Sequence, residues 1–246
     1  MLIKKVPVSS ILPLMKLLLA STSKLFGQKY LEYLREEIEV FFNHTDQIVF
    51  VPYARPGAIS WDDYTAIARE GFLPFRIKVK GIHELDHPFR QLSDFGGIFT
   101  GGGNTFLLLK TLYETEHFTL LREKVINGAP YMGSSAGSNV AGLSIGTTND
   151  MPIVYPPDFA AFGFVPFNIN PHYVDPDPTS RHMGETREQR ILEFHHFNPQ
   201  PVIGLREGSW IQVSDKLFEL KGPYTARLFR RDSIPIELEP GRFDLN

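Results

Sequence analysis

Apolar runs and amphipathic stretches alternate along the first half of the chain, and each run predicts an element. Residues 17–20 (Leu-Leu-Leu-Ala) and 47–53 (Gln-Ile-Val-Phe-Val-Pro-Tyr) are almost continuously apolar, the pattern of strands that a parallel sheet buries on both faces. Residues 28–42 place Tyr30, Leu31, Leu34, Ile38 and Phe41 near helical spacing. Residues 61–70 predict a second helix, with Ser60 as its cap and Asp62 and Asp63 in the first turn. Residues 75–79 alternate like a strand, 95–100 read as another, and 106–113 as a helix. Ala129-Pro130-Tyr131-Met132 is a short buried strand, and a helix starts from Ser138. Strand and helix in this order predict an α/β fold, a doubly wound and mostly parallel sheet.

The second half is looser. Residues 155–185 are rich in proline and aspartate and read mostly as loop, a length that is usually functional. Thr186-x-x-Gln189 is a capping box, followed by a helix with Ile191, Leu192, Phe194 and Phe197 on its apolar side. Val202–Leu205 is a strand, and 210–213, 217–220 and 226–229 predict a terminal antiparallel region. Residues 1–14 read as an appendage, with Pro7, Pro13 and Lys16 interrupting any signal-like apolar run, and 15–246 as one domain.

Composition removes several chemistries. The chain has 246 residues and 42% hydrophobic content, enough for a sizeable core. A net charge of −3 with interspersed signs gives no nucleic-acid stripe and no polybasic membrane anchor. No run is long enough to span a bilayer. There is no cysteine, so thiolate metal sites, disulfides and a cysteine nucleophile are excluded, which fits a reducing, cytoplasmic setting.

Gly133-Ser134-Ser135-Ala136-Gly137 between the predicted strand and helix has the layout of a nucleophile elbow. Small neighbours let the Ser135 hydroxyl project from the sheet edge, and the N–H of Ala136 then faces a developing oxyanion. A plain Gly/Ser turn before a packed helix has the same pattern. Gly101-Gly102-Gly103 lacks the lysine of a phosphate loop and reads as bare backbone, with Gly102 or Gly103 able to complete an oxyanion hole, or as a simple tight turn. His172, after Ile169-Asn170-Pro171, is the best placed of eight histidines to act as base. Asp150 and Glu207 are candidates to orient it. Arg187 opposes the macrodipole in the first turn of its helix, which suits a carboxylate site or, equally, a surface pair with Glu185.

His83-Glu84-Leu85-Asp86-His87 matches the zinc-protease pattern H-E-x-x-H. Pro88 disfavours helical geometry at His87, so the histidines do not stack on one helix face, and the motif reads as a loop.

Taken together, Gly101 to Phe106, Gly133 to Gly137, Thr147 to Val154, Ile169 to His172, Gly184 to Arg190 and Glu207 to Trp210 resemble the aspartyl dipeptidases of serine-peptidase family S51. The resemblance runs from Met15 across almost the whole chain. It implies a three-layer α/β fold like that of the class I glutamine amidotransferases (flavodoxin-like), and metal-free, cofactor-free hydrolysis of Asp–Xaa dipeptides. It implies Ser135 as nucleophile, His172 as base, and Glu207 or Asp150 as the third member. Arg187 would bind the substrate aspartate, with Asn104 and Thr105 also at the substrate. The expected partner is a small dipeptide, with no nucleic acid and no membrane, and the protein is expected to be a monomer or homodimer. Three rivals remain: cyanophycinase-like cleavage of β-aspartyl–arginine polymer, a zinc peptidase at His83 and His87, and a non-catalytic binding protein on the same fold.

Overall fold

The computed structural model describes residues 14–245 apart from residues 58, 180 and 182. The appendage expected at 1–14 lies outside the described residues except for Leu14, which is exposed.

The first half builds β1 (Lys16–Ala20), α1 (Arg35–Phe41), β2 (Gln47–Val51), α2 (Trp61–Phe72), β3 (Lys78–Gly81), α3 (Pro88–Gln91), β4 (Gly97–Thr100), α4 (Thr105–Glu114), α5 (His117–Ile126), β5 (Tyr131–Ser134) and α6 (Ala136–Asn139). The second adds β6 (Asn168–Pro171), α7 (Arg187–Phe197), β7 (Val202–Leu205), β8 (Trp210–Ser214), β9 (Leu217–Lys221), β10 (Ala226–Phe229), β11 (Ile236–Leu238) and β12 (Gly241–Phe243). An eight-stranded sheet runs in the order β12-β9-β8-β1-β5-β4-β2-β3. Its five strands β1, β5, β4, β2 and β3 are parallel. β8, β9 and β12 extend it antiparallel from the β1 edge.

The period-2 burial explains why these strands read as continuous apolar runs. Leu17, Leu19, Val49, Val51, Ile98 and Tyr131 point to one face, where α4, α5 and α6 pack. Leu18, Ala20, Ile48, Phe50, Phe99 and Met132 point to the other, against α1 and α2. Both faces are dry, as a parallel sheet covered by helices requires. The fold is therefore mixed α/β around a large, mostly parallel central sheet. No helix among the described residues is long and apolar enough to cross a membrane.

Several elements depart from the sequence reading. The helix expected over 28–42 begins only at Arg35, because Leu31 takes a left-handed φ of 59° and a short 3-10 turn, Glu32–Leu34, intervenes. The strand expected at 75–79 starts at Lys78, since Pro74 sits in a 3-10 turn and Arg76 closes it at φ 58°. Helix α5 forms where the sequence patterning predicts no element. Of the apolar side expected for α7, Ile191 is buried and Phe194 half-buried, whereas Leu192 and Phe197 are exposed and His195 is buried. The terminal antiparallel region is divided. β8 and β9 join the main sheet, while β10 and β11 join β7 and β6 in a second, four-stranded sheet, β11-β10-β7-β6. That second sheet contributes Ile169, Ile203, Leu205 and Leu228 to the core on the α4 side.

Candidate active site

The chain turns sharply where β5 ends. Ser135 has φ 54° and ψ −111°, a conformation that non-glycine residues rarely adopt. Its surroundings hold it there. Its N–H donates to Ala20 O at 3.0 Å, and its carbonyl accepts from the N–H groups of Ser138 and Asn139, both at 2.9 Å. The flanking glycines are a packing necessity. A Cβ on Gly133 would lie 2.4 Å from Gly137 O, and one on Gly137 2.2 Å from Thr100 O. Buried Tyr131 donates to Gly137 O at 2.7 Å and closes the turn.

His172 follows β6 with φ 53°. Its N–H donates to Ser21 Oγ at 2.9 Å, and that hydroxyl donates to Leu205 O at 2.7 Å, so one buried serine links the ends of β1, β6 and β7. The parallel register of β6 and β7 aligns Pro171 with Leu205. The residues after these strand ends, His172 and Glu207, then meet: Nδ1 is 2.6 Å from Glu207 Oε1, and Nε2 is 2.8 Å from Ser135 Oγ. A carboxylate only accepts, so Nδ1 carries the proton and Nε2 is left to accept from the serine hydroxyl.

Asp150 stands elsewhere. Its Oδ2 accepts from Thr105 N at 2.7 Å, Thr105 Oγ1 at 2.6 Å and Thr148 Oγ1 at 3.1 Å, at the N-terminus of α4. The segment around it also steadies the histidine. Asn149 Nδ2 donates to Pro171 O at 2.7 Å, the carbonyl just before His172, and Asn170 Nδ2 donates to Thr147 O at 2.7 Å and Asn149 Oδ1 at 2.8 Å.

Gly102 lies against the serine: a Cβ built on it would be 3.0 Å from Ser135 Cβ and 3.6 Å from its Oγ. Its carbonyl accepts from buried Tyr64 at 3.0 Å, which ties the Gly102–Gly103 peptide to α2. Among the described residues the N–H groups of Gly102, Gly103 and Ala136 have no backbone acceptor. Backbone donors next to a serine oxygen, as Gly102 and Ala136 offer here, can stabilise a negative oxygen.

Arg187 is the first residue of α7, whose cap is Thr186, with Oγ1 accepting from Gln189 N at 3.1 Å. No carboxylate makes an ion pair with Arg187 among the described residues; Glu185 instead pairs with Arg190 at 3.8 Å. Burial and the neighbouring Arg190 charge hold the Arg187 guanidinium below its ordinary value, and Asp150 partly opposes them. Arg187 and Arg190 line a cavity of about 340 Å³ against the loop from Val174 to Asp177. Asn104 and Thr105, expected at the substrate, spend their polar groups on the scaffold. Asn104 Oδ1 caps α4 through Leu107 N at 3.0 Å and its Nδ2 donates to Met151 O at 2.9 Å, while both donors of Thr105 serve Asp150.

The H-E-x-x-H residues do not share a helix. Ile82–Glu84 is a 3-10 turn, Leu85 is extended, and α3 starts at Pro88. His83 bonds Asp62 at 3.0 Å, and Glu84 is occupied by Arg69 and by Gly81 N–H at 2.6 Å. Asp62, His83 and Glu84 are the one group of three potential ligands among the described residues, and His87 is not in it.

Sequence reasoning missed Ser21, Asn149, Tyr64 and Arg206. Arg206, next to Glu207, binds Asp175 at 2.8 and 2.6 Å and Glu237 at 2.9 and 3.2 Å, and so fastens the loop after His172 to the second sheet. Nothing local marks these residues, because their partners lie far off in the chain.

Comparison with known proteins agrees with this architecture. The family model described as peptidase family S51 matches residues 17–221. A protein named Peptidase E from Streptomyces coelicolor is 48% identical over 227 residues, 92% of each chain. A Drosophila melanogaster protein named "Probable alpha-aspartyl dipeptidase" is 47% identical over 227 residues, 91% of this chain and 93% of its own. The crystal structure of a peptidase from an acI-B1 Actinobacterium, 16% identical, superposes with a TM-score of 0.67 over 93% of this chain and 96% of its own, a likeness of fold. The chain belongs to peptidase family S51.

Proposed function

We propose that this chain is a serine-type dipeptidase that hydrolyses Asp–Xaa dipeptides. The observation that carries the reading is the hydrogen-bonded series from Ser135 Oγ through His172 to Glu207, at 2.8 and 2.6 Å, in an S51 member. Two of its relatives bear the names Peptidase E and alpha-aspartyl dipeptidase. His172 Nε2 takes the proton of Ser135 as Oγ attacks the aspartyl carbonyl. Glu207 stabilises the imidazolium that forms. The N–H of Ala136 and that of Gly102 or Gly103 hold the oxyanion. His172 then gives its proton to the leaving amine, the C–N bond breaks, and the Xaa residue departs. Water, deprotonated by His172, attacks the acyl-enzyme, releases aspartate and restores the Ser135 hydroxyl.

Arg187 selects the aspartyl side chain, by a charge-assisted pair at the start of α7. Asp150 positions α4, and its charge favours the charged form of Arg187. Residues 15–246 act as one peptidase domain, a monomer or homodimer in the cytoplasm, needing no metal or cofactor. The test is a panel of Asp–Leu, Asn–Leu, Ala–Leu and β-aspartyl–arginine peptide. Cleavage of Asp–Leu alone supports the reading. Cleavage of the β-linked peptide in its place replaces it with the cyanophycinase-like one.

A further inference from the structure

Arg55 follows β2 at the same end of the parallel sheet as Ser135. Asp150 is bonded to the start of α4 on one face of the sheet. The Arg55 guanidinium lies over the ring of Tyr64, in α2, 4.9 Å from its centroid, on the other face. The Tyr64 hydroxyl bonds Gly102 O at 3.0 Å, and Gly102 borders Ser135. One ring and one peptide therefore separate the Arg55 cation from the nucleophile.

Among the described residues no carboxylate makes an ion pair with Arg55, and the side chain is exposed. An exposed guanidinium held over a ring keeps N–H donors for a ligand, and these match a carboxylate two at a time. Nearby Tyr30 senses the same charge: burial, foremost, and Tyr64 drive its phenol well up, and Arg55 pulls it back.

An Asp–Xaa dipeptide has a carboxylate on each side of its scissile carbonyl: the aspartyl side chain and the C-terminus of Xaa. We propose that Arg55 binds the C-terminal carboxylate of the leaving residue and is the residue that makes a dipeptide a better substrate than a longer peptide. A third residue would place a neutral amide where this cation meets a charge. The proposal rests on the Asp–Xaa reading above.

The test compares Asp–Leu with Asp–Leu amide on the wild type, Arg55→Gln and Arg55→Lys. Wild type should favour the free acid in KM by roughly fivefold to fiftyfold, the range of a charge-assisted contact discounted for exposure. Arg55→Gln should bring the acid down to the level of the amide and leave the amide unchanged, and Arg55→Lys should keep part of the preference. A structural loss would lower both substrates together. An acid-to-amide ratio that is the same in wild type and Arg55→Gln overturns the proposal alone. A wild type that cleaves neither substrate overturns the Asp–Xaa reading, and this proposal with it.

Discussion

His172 faces Glu207 and not Asp150: its Nδ1 is 2.6 Å from Glu207 Oε1, while Asp150 is bonded to Thr105 and Thr148. The two acids should therefore fail differently. Glu207→Gln keeps the shape but offers the ring an ambiguous partner, so kcat should fall by about 10²- to 10⁴-fold. Asp150→Asn should keep kcat within about tenfold and act on KM, through its bonds to the start of α4 and the loss of a charge that favours the Arg187 cation. Steady-state kinetics on Asp–Leu separates the two.

The elbow glycines leave no room for a side chain. Gly133→Ala and Gly137→Ala push a Cβ to 2.4 and 2.2 Å from backbone oxygens that cannot swing aside. Each should cost about 3 kcal/mol, read from urea unfolding. Gly102→Ala meets Ser135 Cβ at 3.0 Å and Ser134 O at 3.1 Å, a tight but yielding contact. It should fold with a loss of about 1 kcal/mol and still lose kcat, because the donor beside Ser135 is displaced.

Arg187 has a guanidinium without a protein carboxylate in an ion pair among the described residues. Arg187→Ala should lose roughly ten- to a hundredfold in kcat/KM for Asp–Leu and little for Ala–Leu, erasing the preference. Arg187→Lys should restore only part, since an ammonium lacks the two-pronged geometry. Equal losses on both substrates would assign Arg187 to the scaffold.

Acid should destabilise the fold through buried histidines. Tyr53 bonds His117 Nδ1 at 2.9 Å, and burial pushes the His117 imidazole below the ordinary histidine range. The unfolded chain then takes up the proton first, so stability is full above about pH 6.5 and falls as pH drops below it. His117→Gln should lower Tm at neutral pH, by removing the buried bond, yet flatten its decline toward pH 5. His195, also lowered chiefly by burial, should keep part of the slope.

Chelation should leave the rate unchanged. His83 is bonded to Asp62, Glu84 to Arg69, and His87 stands at the start of a separate helix. EDTA treatment followed by the dipeptide assay checks this, and inhibition reversed by zinc would restore the metallopeptidase reading.

What could be seen in the sequence was whatever is decided locally. The two-sided burial of β1 and β2 makes them apolar without interruption, and Ser60 and Thr186 cap their helices as their positions imply. The elbow was legible because sterics demand glycine at both flanks of one turn. The choice between Glu207 and Asp150 was not, since it depends on the register of β6 with β7, strands far apart in the chain. Ser21 escaped for the same reason, bonding His172 across 151 positions. The resemblance puts Asn104 and Thr105 at the substrate, while the bonds of their polar atoms to Met151 O and Asp150 depend on partners distant in the chain. The division of the terminal strands between two sheets leaves no mark in any one strand's alternation.

The central claim is that Ser135 is the nucleophile of an Asp–Xaa dipeptidase, and the rate of Asp–Leu hydrolysis by wild type and Ser135→Ala, purified side by side, tests it most directly. The account predicts cleavage by wild type and a loss of at least about 10³-fold in kcat for Ser135→Ala, with an unchanged Tm. A Ser135→Ala enzyme that still turns over Asp–Leu near the wild-type rate would contradict it.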